Sequence, residues 1–124
     1  MIQNFAAVFI GGGIGSIMRY GVQLALNERM SATSFPWATF AVNIIGSFLI
    51  GLFYSLSERF NIPAETRLLL TTGLCGGFTT FSTFSNESVG LIKQGSITTF
   101  AVYAALSLAL GMVAALAGGM AGKA

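Results

Sequence analysis

Four apolar stretches separated by short polar clusters organise the chain, at residues 4–27, 36–56, 67–92 and 97–120. Each is close to the ~20 residues that a helix needs to cross the hydrocarbon of a bilayer. The pattern therefore predicts an all-α membrane protein, one four-helix domain over residues 1–124. The connections run from Asn27, Glu28 and Arg29 to Pro36, from Ser57, Glu58 and Arg59 past Pro63 to Thr66, and through Lys93, Gln94, Gly95 and Ser96. None leaves room for a soluble domain. Pro36 suits the first turn of the second helix, and Trp37 suits interfacial depth. The opening run MIQNFAAVFIGGGIGS lacks a basic flank, and its apolar character continues past any cleavage site, so it reads as the first span and not as a leader.

The third stretch, with LCGGFTTFSTFS at residues 74–85, departs from a plain apolar helix. Nineteen uncharged residues, 68 to 86, lie between Arg67 and Glu87, and their midpoint is Gly77. As a helix they rise about 28 Å, nearly the full hydrocarbon thickness. Helix-weakening residues at that depth are tolerated only where the backbone is buried in protein or lines a cavity. Either the glycines are a packing pair that thins the helix, or the helix is broken near the midplane and presents carbonyls to an ion. Small residues four apart recur elsewhere, as Gly11 with Gly15, Ser47 with Gly51, Gly73 with Gly77 and Gly111 with Ala115, and this spacing favours close helix packing.

Composition narrows the class. Hydrophobic residues make up 54% and charged residues 8%, which excludes an ordinary soluble domain. A net charge of +2 offers no basic face for nucleic acid. With no histidine and one cysteine, Cys75, the chain cannot build an internal disulfide or a His/Cys metal cage. An even number of spans puts both termini on one side. That side would carry Arg59, Arg67 and Lys123 against Arg29 and Lys93, with Arg19 added if it reaches the surface. This is almost no positive-inside bias. Such a chain can insert both ways and pair antiparallel with itself about an axis in the membrane plane, unless features outside this count set one topology. Two copies of residues 76–79 would then meet at the midplane, and a ring of neutral oxygens there suits a monovalent cation better than calcium.

Several polar and aromatic positions could carry chemistry. Phe81 and Phe84 share a helix face, as do Thr80 and Thr83. The rings are either core packing or aromatic edges that hold an anion weakly enough to release it. Asn43 lies about 9 Å along the second helix from Trp37, deep enough to need a partner, as interhelical glue or as an uncharged donor. Thr39, Tyr103 and Ser107 would add hydroxyls to the same polar strip. Arg19 either snorkels or faces water at a vestibule. Glu87 reads as a boundary charge. GGGIGSIM is not a dinucleotide fingerprint, because Met18 stands where its last glycine belongs and no soluble strand precedes it.

With these residues in hand, the chain resembles the Fluc (CrcB-type) family of small fluoride channels. The resemblance is carried by GGGIGSIMRY, WATFAVNIIGSFLIG, TTGLCGGFTTFSTFSNE, and Tyr103 with Ser107. It implies a dual-topology antiparallel homodimer in the cell inner or plasma membrane. Such a dimer would hold two fluoride pores and one central structural sodium ion, and would export fluoride passively without catalysis. By the same resemblance, Asn43, Phe81 and Phe84 line each pore, and Thr39, Thr83, Tyr103 and Ser107 fall on its polar path. Arg19 matches the family's helix-one arginine, and the carbonyls of Gly76 and Thr79 hold the sodium. Two rival classes remain. A small proton-coupled multidrug transporter would be expected to use an embedded carboxylate, whereas Glu28, Glu58, Glu65 and Glu87 all fall at span ends. A noncatalytic packing subunit leaves Asn43 and the interrupted third stretch unexplained.

Overall fold

The computed structural model describes residues 1–27 and 35–124. Glu28 and Arg29 of the first connection lie outside the described residues. All regular structure among the described residues is helical: α1 (Ile2–Asn27), α2 (Trp37–Arg59), α3 (Ala64–Leu68), a π-helical segment (Leu69–Cys75), α4 (Gly76–Phe78), α5 (Phe81–Lys93) and α6 (Ile97–Lys123). Three of them, at Ile2–Leu26, Trp37–Arg59 and Ile97–Lys123, are long and apolar enough to cross a membrane.

Two helix pairings build the bundle. The first sets α1 against the run from α3 to α4, and glycines decide how closely. A Cβ at Gly11 would meet the backbone of Leu69, Gly73 and Leu74, one at Gly15 the backbone of Leu74 and Phe78, and one at Gly77 the carbonyl of Gly12. The expected stripes Gly11/Gly15 and Gly73/Gly77 thus face each other, backbone on backbone. The second pairing sets α2 against α6, where a Cβ at Gly51 would strike the carbonyl of Ala115 and one at Gly118 that of Phe48. Ser55 Oγ donates to the Gly119 carbonyl at 2.6 Å, and the Arg59 guanidinium donates to the Gly122 carbonyl at 3.3 Å near the end of α6. That guanidinium suits the negative end of the helix.

The ends of the elements follow local chemistry. Thr80 caps α5, its hydroxyl accepting the Thr83 N–H at 3.2 Å. Gly95 turns the chain after α5 at φ +80, with Ser96 N–H bonding the Leu91 carbonyl at 2.9 Å. Pro36 stands at the cap of α2, one position before its first turn.

The chain has little interior. Among the described residues only Ala38, Val42, Cys75, Phe78, Leu91 and Tyr103 form the buried apolar core, while large side chains such as Phe9, Ile17, Leu108 and Leu116 lie outside. Such an exterior is stable against lipid or a second chain, not against water.

The third stretch is interrupted, but not at its glycines. Gly76 and Gly77 are helical, whereas Thr79 (φ −88, ψ 162) and Thr80 (φ −153, ψ 120) are extended. Gly77 is kept for close approach to Gly12, and the chain opens two residues later, where side chains can take over the freed backbone groups.

Candidate functional site

At Thr79–Thr80 the helix ladder is replaced by side-chain bonds. The Asn43 amide meets Thr80 twice, Oδ1 accepting the Thr80 N–H at 2.7 Å and Nδ2 donating to the Thr80 carbonyl at 3.0 Å. An amide is the neutral group that can do both at once, so α2 holds the break open in a fixed shape. The donated bond occupies one of the two Nδ2 hydrogens and leaves the other for a solute. Gly46, one turn after Asn43, makes room, since a Cβ there would run into the Thr79 methyl group. The Thr79 hydroxyl turns back to the Cys75 carbonyl at 2.9 Å.

Two carbonyls lose their helical donors in this exchange. In a continuous helix the Gly76 carbonyl would accept from Thr80 N–H, which Asn43 has taken. The Thr79 carbonyl would accept from Thr83 N–H, which the Thr80 hydroxyl has taken. Both residues line a pocket of about 340 Å³ together with Asn43, Gly46, Ser47, Ile50, Cys75, Thr80 and Phe81. Among the described residues no group of three His, Cys, Asp or Glu side chains converges on a metal. Neutral hard oxygens are therefore what the break offers a cation, and the Gly76 and Thr79 carbonyls fit that use. The same break has two polarities: α4 ends in carbonyls without helical donors, and α5 begins with N–H groups without helical acceptors and the positive end of its dipole. A cation and an anion can each be favoured within a few residues.

From the break an aromatic and hydroxyl strip runs along α5 and α6. Phe81 is 78% exposed, and its ring centroid lies 5.9 Å from that of Phe84. Phe84 lies 4.9 Å from Tyr103, which lies 5.3 Å from Phe35. Tyr103 and Thr39 are wholly buried and both donate to Glu87, to Oε1 at 2.9 Å and to Oε2 at 3.0 Å. Thr83 accepts from the Thr80 hydroxyl at 3.1 Å. Ser107, one turn beyond Tyr103, buries its Oγ without a partner among the described residues.

Of the expected residues, Asn43, Gly76, Thr79 and Phe81 converge on one pocket, Thr83 joins them through Thr80, and Phe84, Tyr103 and Thr39 form the adjoining cluster. Ser107 continues it. Arg19 is set apart: its Nε donates to the Gly77 carbonyl at 3.0 Å. A guanidinium at the C-terminal end of a half-helix is well matched to the partial negative charge there. Glu87 is the residue that the linear reading undervalued, because it is a bonded member of the polar strip. Its position three after Phe84 in one helix, hence on the same face, was the available signal.

Residues 6–119 match the family model described as CrcB-like protein, Camphor Resistance (CrcB). A protein of Bacteroides fragilis named fluoride-specific ion channel FluC is 58% identical, over 98% of each chain. Proteins of the same name from Phocaeicola vulgatus and Rhizobium etli are 49% and 48% identical, over 94% and 95% of this chain and 96% and 94% of theirs.

Proposed function

This chain belongs to the CrcB-like family, and on that premise we propose that it is a passive fluoride-selective channel of the cell inner or plasma membrane. The family is one of channels and not of enzymes. The observation that carries the reading is the double bond between Asn43 and the Thr80 backbone at a helix break beside Phe81.

In this reading the broken run from Ala64 to Lys93 is a fourth crossing beside the three long helices. Two copies pair antiparallel, so that each pore occurs twice. The near absence of positive-inside bias and the sparse interior of the single chain support the pairing. A fluoride ion leaving water needs donors that do not trap it. The spare Asn43 amide hydrogen, the hydroxyls of Thr83 and Ser107, and the edges of Phe81 and Phe84 supply weak, successive attraction. Thr39 and Tyr103 hold Glu87, and Arg19 acts through the Gly77 carbonyl by fixing the end of the broken helix. At the dimer centre the Gly76 and Thr79 carbonyls of both copies would hold sodium, whose positive charge would tie the two broken helices together. Fluoride enters cells as the neutral acid, ionises at cytoplasmic pH, and leaves down its gradient without energy coupling.

Fluoride efflux from liposomes containing the purified protein, read with a fluoride electrode, tests the proposal. Rapid electrogenic efflux of fluoride but not chloride is expected. Glu87 is the observation that favours the second reading, a proton-coupled multidrug transporter, since its carboxylate is held by the hydroxyls of Thr39 and Tyr103. Flux that requires a counter-moving proton would establish that reading, and absence of fluoride flux would end the first.

A further inference from the structure

A continuous chain of aromatic rings leads from the break toward the end of the bundle where α5 finishes and α6 starts. Its inner members, Phe81, Phe84 and Tyr103, belong to the polar strip, and its outer members are Phe35, Trp37 and Phe40. Phe35 joins the two halves. Its ring lies edge-on to Tyr103 at 5.3 Å and to Phe40 at 5.2 Å, and tilted against Trp37 at 4.5 Å. Edge-to-face contacts at such separations are attractive. The backbone beneath the ring is held in place: Pro36 keeps the residue before it out of the helical region, and the Phe35 carbonyl accepts the Trp37 N–H at 2.9 Å. Phe35 is nevertheless outside α2 and half-buried, so its ring can swing about the side-chain torsions while the chain stays fixed.

What lies under that ring is closed. Thr39 and Tyr103 are both 0% exposed, although Tyr103 stands only about 9 Å into α6 from its first residue, Ile97. Both spend their hydroxyl hydrogens on Glu87. Of the rings against Tyr103, Phe84 comes from within the strip and Phe35 from ahead of the first turn of α2. A solute moving outward along the strip thus meets a buried phenol with an apolar ring laid across it. Anchoring at the membrane surface accounts for Trp37, which is 51% exposed, but not for a half-buried ring turned onto the tyrosine of the strip.

We propose that Phe35 is the outer constriction of the fluoride path: its ring seals the cluster of Tyr103 and Thr39 from water, and an ion passes there only when the ring swings aside. What passes rests on the channel reading, whereas the seal rests on the contacts of Phe35 alone. An apolar ring at a narrow mouth opposes wetting without binding the anion. Phe35 therefore sets the rate of passage, and recognition stays with the donors deeper in the strip.

Substitutions at this one position separate a constriction from an anchor. Phe35→Ala is expected to raise fluoride efflux from liposomes several-fold, with Phe35→Leu between it and the unaltered chain. Phe35→Trp, a larger ring and a stronger interfacial anchor, is expected to lower efflux several-fold. Efflux unchanged or slowed in Phe35→Leu, or unchanged in Phe35→Trp, would overturn the proposal. The seal is read without fluoride by Thr39→Cys, treated with the thiol reagent methanethiosulfonate ethylammonium. The new thiol is expected to resist the reagent with Phe35 in place and to react in Phe35→Ala, or in Phe35→Leu if the alanine variant does not fold. Cys75 is only 2% exposed, and the chain without Thr39→Cys gives its background labelling. Reaction with Phe35 present, or no reaction with it replaced, would overturn the proposal. If the unaltered protein carries no fluoride, the channel reading fails alone, and the labelling still decides whether Phe35 is the seal.

Discussion

Replacing Asn43 by leucine keeps nearly the same volume and removes both bonds that hold Thr80. The Thr80 N–H loses its 2.7 Å acceptor, and the Thr80 carbonyl loses its 3.0 Å donor. Leaving a buried backbone group unpaired costs about 1–3 kcal/mol, and Thr80 is only half-buried, so the pair is worth about 2–4 kcal/mol. At 1.4 kcal/mol per decade, this shifts the balance between the held and the released break on the order of 30- to 700-fold. The expected result is a lowered unfolding temperature in detergent together with loss of fluoride efflux from liposomes. Asn43→Asp separates the two effects. Its carboxylate still accepts the Thr80 N–H but turns a second acceptor toward the Thr80 carbonyl, so only part of the stability returns, and a negative charge now stands where the anion passes and efflux stays lost. Asn43→Leu with unchanged unfolding and unchanged efflux would refute the assignment of this amide as the clamp of the break.

The other expected outcomes can be checked in the same two assays. Phe81→Ile should abolish efflux while the dimer survives, since an exposed ring contributes little to the fold of one chain; dimer loss on crosslinking would instead make Phe81 a packing residue. Gly15→Ala should prevent folding, because its new methyl meets the backbone of Leu74 and Phe78, whereas Gly76→Ala should leave helix content unchanged and weaken the dimer. Equal dimer strength in Gly76→Ala would remove Gly76 from the contact between copies. Tyr103→Phe leaves Glu87 Oε1 without its donor and should lower stability by about 1–3 kcal/mol and reduce efflux; efflux unchanged would take Tyr103 off the path. Purification with sodium replaced throughout by a large organic cation should shift the dimer toward monomer, and an unaffected dimer would argue against a structural sodium ion.

The linear order of residues determined the membrane class, the three long helices, and the small-residue faces. These depend on hydropathy and helical period, which are properties of neighbours in the chain. Local pattern also marked residues 74–85 as irregular and picked out Asn43, Phe81, Phe84 and Tyr103. It could not place the break, because Gly76 and Gly77 weaken a helix in isolation while α1, packed against Gly77 through Gly12, keeps them helical. The break moved to Thr79–Thr80, where an amide 37 positions away in sequence supplies both lost bonds. Arg19 and Glu87 looked like charges in search of water. Only three-dimensional contact supplied the Gly77 carbonyl for one and the hydroxyls of Thr39 and Tyr103 for the other. Polar groups in a low-dielectric interior must find partners wherever the fold brings them, and that choice is not written in any local window.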